Sequence, residues 1–211
     1  MLTQFVLFDG FDPLDVIGPY EVLHAGGTTV ELACAEGPRD VVSGLGLSLR
    51  AVARLDPGRA DVIVVPGAAG RLPAGDDDVA PDSIPGILLA TLSTELPAVL
   101  KNALGLPDVT VATVCGGSLI LAMAGLIRDR HATTNHLGLH LLPGLGVHAV
   151  DARVVDDGDL VTAAGVTSGV DLGLYLLERR LGAARTIEVE KLFAHERRGT
   201  VWRRDPHVIG P

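Results

Sequence analysis

The sequence predicts an α/β protein built on a mostly parallel sheet, and three observations carry that expectation. Short β-branched runs alternate with helix-patterned segments along the chain, the order produced by βαβ units. Hydrophobic residues make up 47% of the 211 residues but aromatics only 3%. The core must therefore be built from Val, Leu, Ile and Ala, which suits a sheet buried on both faces. Each apolar run gives way to Gly, Asp or Pro, residues that end strands. The length accommodates one well-buried core, and residues 1–211 are read as a single domain.

Strands are expected at residues 4–8, 28–34, 62–65, 110–114 and 160–163. A further run at 150–155, followed by Asp156-Asp157-Gly158-Asp159, reads as an antiparallel hairpin feeding the last strand. Apolar periodicity places helices at 18–25, 85–103, 117–124, 136–141, 169–181 and 183–198. The Asp-, Pro-, Ala- and Gly-rich stretch 71–85 is expected to be a surface loop between sheet strands. In such sheets ligands bind beyond the carboxyl ends of the strands, so the segments leaving those ends are the ones to search.

A net charge of −9 argues against capture of nucleic acid or anionic lipid, because both require a basic face. The one basic cluster, Arg197, Arg198, Arg203 and Arg204, is expected to be a solvated helix end or a partner contact. No charged and apolar leader is expected at the N-terminus and no apolar run is long enough to span a bilayer, so a cytoplasmic location is anticipated. Two cysteines, Cys34 and Cys115, fall in different strand contexts, which disfavours a disulfide or a structural zinc site. Neither a metal nor a cofactor is expected.

Cys115 stands between the extended run 110–114 and the helical segment 117–124, followed by Gly116 and Gly117. A strand-to-helix turn of this kind presents a nucleophile at the sheet edge, and the helix N-terminus favours a thiolate. An exposed thiol of low pKa is therefore expected, with the Gly116 N–H free to face an anion, whereas Cys34 reads as core. The bend Pro66-Gly67-Ala68-Ala69-Gly70 follows another strand and aims further N–H groups at developing negative charge. Near the N-terminus, Asp15 is flanked by Leu14 and Val16-Ile17. It is either a partly desolvated proton carrier or a helix N-cap; spacing alone favours the cap.

These residues resemble a known family. Val6-Leu7-Phe8 with Leu14-Asp15-Val16-Ile17-Gly18-Pro19, Val65-Pro66-Gly67, Val114-Cys115-Gly116-Gly117-Ser118-Leu119, Gly125-Leu126-Ile127 with Ala132-Thr133-Thr134, and Gly165-Val166-Thr167-Ser168-Gly169-Val170-Asp171 look like the ThiJ/PfpI family of the class I glutamine amidotransferase-like superfamily. The Leu-Asp-x-x-Gly-Pro element resembles the isonitrile hydratase branch and the sensor domains of AraC-type regulators. The resemblance implies a flavodoxin-like three-layer sandwich and a homodimer. It also implies Cys115 on a nucleophile elbow, Asp15 hydrogen-bonded near its sulfur, and the amides of Gly67, Ala68 and Gly116 around the site. A regulator would carry a helix-turn-helix region after the sensor domain, for which the chain is expected to be too short.

Two departures stand out. Gly116 replaces the Thr usual after the cysteine in isonitrile hydratases, and Asn135 followed by His136 stands where related enzymes place His. Asn135 and His136 are both carried as candidates for contact with substrate. Segment 82–107 is also longer than expected between the two site strands and either reshapes the site mouth or lengthens a surface helix. The leading expectation is a cysteine-dependent hydro-lyase that hydrates a small isonitrile-like molecule to an N-substituted formamide. The rivals are a glyoxalase or deglycase acting on small dicarbonyls and a ligand or redox sensor.

Overall fold

The apolar runs expected to be strands do pair side by side. The computed structural model describes residues 1–75 and 78–204. Asp76 and Asp77, which fall in the loop expected at 71–85, lie outside the described residues. In chain order the elements are β1 (Leu2–Val6), α1 (Pro13–Ala25), β2 (Thr29–Cys34), β3 (Arg39–Val42), β4 (Ser48–Ala51), β5 (Ala53–Arg54) and β6 (Val62–Val65). Then come α2 (Ile84–Ala90), α3 (Leu96–Leu104), β7 (Thr110–Val114), α4 (Gly117–Met123), β8 (His131–Ala132) and β9 (His148–Ala149). The chain closes with β10 (Val154–Asp156), β11 (Leu160–Ala163), α5 (Ser168–Leu181), α6 (Ala183–Phe193) and β12 (Trp202–Arg203).

The main sheet has the order β12-β10-β11-β7-β6-β1-β2-β5. Its centre, β2-β1-β6-β7-β11, is parallel throughout, and β10 runs antiparallel to β11 as the hairpin reading expected. Numbered by appearance, the central strands follow the 2-1-3-4-5 order of flavodoxin-like sheets, with the switch point between β1 and β6. All four residues of β6 are buried, as a strand covered on both faces requires. The covering helices pack α1 on α5 and α5 on α6, with α2 and α3 each against α4. α1 and α5 approach closely because a Cβ at Gly173 would stand 3.0 Å from the Val22 Cβ and 3.1 Å from the Pro19 Cα.

Four expectations need correction. The first helix begins at Pro13 rather than residue 18, because Asp12 caps it by accepting from the Leu14 N–H at 2.9 Å and Pro13 fits the first turn, where no N–H is needed. The helix expected at 85–103 is broken into α2 and α3, bent by 77°. Thr91 Oγ1 donates to the Leu88 carbonyl at 2.7 Å and Thr94 Oγ1 to the Thr91 carbonyl at 2.7 Å, a local competition that ends the first helix. Residues 136–141 form no α-helix; only short 3₁₀ turns occur, at Leu139–Leu141 and Pro143–Leu145. The last helix stops at Phe193, after which Ala194 takes a left-handed conformation with φ 48°.

The basic cluster is therefore not a helix end. Arg197 pairs with Glu178 and Glu190, the Arg203 guanidinium lies 5.4 Å from the Tyr175 ring centroid, and Arg204 reaches Asp157 at 3.6 Å. These contacts hold the returning chain on α5 and beside β10, where β12 pairs. Sequence periodicity also missed the β3–β4 hairpin, whose strands are four residues each and partly exposed. Among the described residues no single helix is long and apolar enough to cross a membrane.

The cap assignment is open to test. Asp12→Ala is expected to lower stability by about 1 kcal/mol and Asp12→Asn by only a few tenths, read from denaturant midpoints at constant slope.

Candidate active site

Three chain segments leave the carboxyl ends of β1, β6 and β7 and meet at the switch point of the sheet. The first brings Asp15 in the opening turn of α1, the second brings Gly67, and the third brings Cys115. Position 67 is the joint between them. A Cβ there would lie 2.6 Å from the Gly116 nitrogen, 3.0 Å from Asp15 Oδ2 and 3.1 Å from the Cys115 Cβ. Two of these neighbours belong to the cysteine turn itself, so no side chain fits and the acid and the sulfur-bearing residue are held on either side of one glycine.

Cys115 adopts φ 54°, the left-handed region that a residue with a Cβ enters at a cost of about 1–2 kcal/mol. Surrounding bonds fix it there. Its N–H donates to the Ala163 and Ala164 carbonyls at 3.1 and 2.9 Å, and its carbonyl accepts from Thr134 Oγ1 at 2.7 Å. Ser118 Oγ donates to the Thr133 carbonyl at 2.7 Å and ties the same loop to α4. Sequence reading had not given Thr134 or Ser118 these roles. Short polar residues flanking an elbow were the available signal.

The sulfur is not the exposed, low-pKa thiol expected from the turn. Cys115 is only 8% exposed. Burial first, and then the nearby Asp15 charge, push its pKa up to about 12; the Asn135 and Gly116 N–H groups pull the other way without prevailing. The start of α4, two residues after Cys115, was expected to favour a thiolate, and burial outweighs the N–H donors there.

Asp15 is fully buried and, with Asp12 serving as the cap, is not an N-cap. Its Oδ2 accepts from the Gly67 N–H at 2.8 Å, while its Oδ1 is buried without a hydrogen-bond partner among the described residues. Burial, with repulsion from Asp12, holds the carboxyl well above the ordinary carboxylate range. The Gly67 amide is thus engaged by Asp15 and is not the free donor that the glycine-rich bend led one to expect. The Ala68 N–H takes no partner among the described residues and remains available, together with the Gly116 N–H beside the sulfur.

Asn135 comes to the sulfur and His136 does not. Asn135 Nδ2 lies 3.5 Å from Cys115 Sγ, and its Oδ1 accepts from the Leu137 N–H at 3.1 Å, which fixes the amide with its donor toward the sulfur. His136 is exposed and makes no contact with Cys115. Segment 82–107 does reach the site: a Cβ at Gly116 would stand 2.9 Å from Leu88 Cδ1, so α2 covers the residue after the nucleophile with a leucine. Cys34, buried at the end of β2, donates to Glu36 Oε2 at 2.8 Å and belongs to the core. Among the described residues no three His, Cys, Asp or Glu side chains converge as metal ligands.

A strained, buried cysteine on a strand-to-helix turn, beside a buried acid at a flavodoxin-like switch point, defines a class of elbow-cysteine α/β proteins. The family described as DJ-1/PfpI matches residues 89–179. The chain is 33% identical over 193 residues to isonitrile hydratase of Pseudomonas putida, spanning 90% of this chain and 77% of that one. It is 28% identical over 161 residues to a deglycase of Thermococcus kodakarensis, covering 74% of this chain and 84% of that protein. In fold, it matches the crystal structure of a ThiJ/PfpI family protein from Pseudomonas syringae with a TM-score of 0.75 at 24% identity, over 94% of this chain and 76% of that one. The chain belongs to the DJ-1/PfpI family.

Asp15→Asn isolates the buried acid. Because the folded carboxyl titrates above the unfolded value of 3.8, its contribution to stability is full below about pH 4 and is lost as pH rises through the folded value. The Asn variant lacks that loss, so its melting temperature should gain on wild type steadily from pH 4 upward. Its Cys115 alkylation midpoint should move to lower pH, since a like charge has been removed. Parallel melting profiles with an unmoved midpoint would contradict the assignment.

Proposed function

We propose that the protein is a cysteine-dependent hydro-lyase that converts a small, uncharged isonitrile to an N-substituted formamide. The observation that carries this reading is the pairing of Asp15 and Cys115 across Gly67, with one carboxyl oxygen buried and unpartnered. The terminal carbon of an isonitrile must gain a nucleophile and a proton at the same atom. A carboxyl whose pKa is raised by burial, beside a thiol, can supply both at one place.

In the first step the Cys115 sulfur bonds to the terminal carbon, and Asp15 delivers a proton to that carbon and recovers one from the thiol. The product is a thioimidate, R–N=CH–S. Water then adds to the same carbon, the carbon–sulfur bond breaks, the sulfur regains its proton and R–NH–CHO leaves. The sum is isonitrile plus water. The amides of Ala68 and Gly116 and the Asn135 N–H are donors for charge that develops on the way. A neutral substrate suits a site whose walls include Leu88 and whose buried acid is biased toward its uncharged form.

The similarity to isonitrile hydratase supports the same reading. The dicarbonyl reaction suggested by the deglycase relative is less well served. It would lean on a nearby His, where this chain places Asn135 as a donor with no proton to take up. Redox sensing calls for an accessible thiolate, and the burial of Cys115 opposes it.

Purified protein incubated with aliphatic and aryl isonitriles and, separately, methylglyoxal should yield formamides and little lactate. Cys115→Ala should abolish the activity, and Asp15→Asn should lower turnover by roughly two orders of magnitude while leaving the chain folded. Lactate formation that depends on Cys115, without formamide, would replace the hydratase by the dicarbonyl reading.

We also propose a homodimer. Val42, Leu45, Leu47 and Val52, on and beside the β3–β4 hairpin, are each more than half exposed and offer apolar surface for a second copy. Sedimentation should give twice the chain mass; a monomer mass at all concentrations would remove this claim.

A further inference from the structure

A second concave site lies away from Cys115. Asp171, Tyr175 and Glu178 follow one another at i, i+4 and i+7 on α5, a spacing that aligns them on one helical face. The chain returning from α6 crosses that face between Arg197 and Arg203 before pairing as β12, and it leaves a cleft of about 490 Å³. That volume falls within the range of small-molecule sites.

The charges lining the cleft do not cancel. The Asp171 carboxylate is occupied by the Arg153 guanidinium, by His195 Nε2 at 3.1 Å and by the Arg198 N–H at 3.3 Å. Glu178 is taken by Arg197, and the Tyr175 hydroxyl is spent on Asp156. The acceptors are thus used up within the protein. By contrast, the Arg198 guanidinium has no ion-pair partner among the described residues. Among the described residues the Arg203 guanidinium has no ion-pair partner and lies 5.4 Å from the Tyr175 ring centroid. Both residues line the cleft together with Thr200, whose hydroxyl has no hydrogen-bond partner among the described residues.

We propose that this cleft binds a small oxyanion, a carboxylate or a phosphate, between Arg198 and Arg203. Guanidinium forks match such groups through paired charge-assisted hydrogen bonds. The rest of the chain sets the size of the ligand. With a net charge of −9 it repels an extended polyanion at long range, so two local guanidiniums select a compact anion rather than a nucleic-acid backbone.

The test is titration of the full chain with sodium phosphate and with sodium acetate, using sodium chloride to match ionic strength. Backbone amide shifts and melting temperature are followed together. Saturable shifts of the Gly199 and Thr200 amides are expected with at least one of the two anions, and the stronger binder identifies the class. Arg198→Gln should weaken binding about tenfold. It should leave the anion-free melting temperature unchanged, because the Arg198 side chain has no internal partner to lose. Cys115→Ala should bind as wild type does, which keeps this result separate from the hydratase reading. Absence of saturable shifts with both anions, or equal binding by wild type and Arg198→Gln, would overturn the proposal.

Discussion

The lack of room for any side chain at position 67 is the constraint on which the site depends. β1 and β6 pair in register from Thr3 with Val62, and β6 with β7 from Val62 with Thr110, so the three chain segments leave the sheet side by side. With a bare Cα at Gly67, the turn after β6 lies within contact of both the Asp15 carboxyl and the Cys115 turn. The same residue donates its N–H to the acid and so fixes the orientation of the carboxyl that adjoins the sulfur. A glycine here therefore sets both the distance and the orientation of the pair.

Burial rather than helix polarity decides the electrostatics of that pair. A short helix beginning after a cysteine invites the inference of a reactive thiolate, and the Gly116 and Asn135 donors do act in that direction. Enclosure of the sulfur and the adjacent acid outweigh them. Both groups are thereby biased toward their protonated forms, whereas a sensor that must react unaided with an oxidant needs an accessible thiolate. The strain at Cys115 is sustained by the carbonyls of Ala163 and Ala164 and by Thr134, so the β11 and β8 ends contribute to the site although neither carries a reacting group.

Much of the fold was legible from the chain alone because buried parallel strands advertise themselves. The runs at 62–65, 110–114 and 160–163 coincide with β6, β7 and β11, each bounded by a turn residue and made almost wholly of small or branched apolar residues. Legibility failed where local hydrogen bonding competes with periodicity. Thr91 and Thr94 cut one apolar stretch into two helices, and Pro13 behind Asp12 lengthened another. The turn at Cys115 could be read from its flanking strand and glycines, whereas the spacing around Asp15 favoured a helix cap, a role that Asp12 takes instead. The engagement of Gly67, the donor role of Asn135 and the exposure of His136 could not be read, because each depends on which neighbour a backbone or amide group meets in space.

Leu88 and Gly116 share a single volume. A side chain at 116 would have to enter the space now filled by the leucine methyls of α2, which lie 2.9 and 3.4 Å from where its Cβ would be. Leu88 belongs to α2, whereas Gly116 is the residue that precedes α4. Because the groups in the way are the ends of a flexible side chain, a larger residue at 116 is admitted only as Leu88 turns aside, and the wall that α2 gives the site shifts with it. An apolar wall contributed from elsewhere in the sequence thus stands where a side chain at 116 would otherwise be.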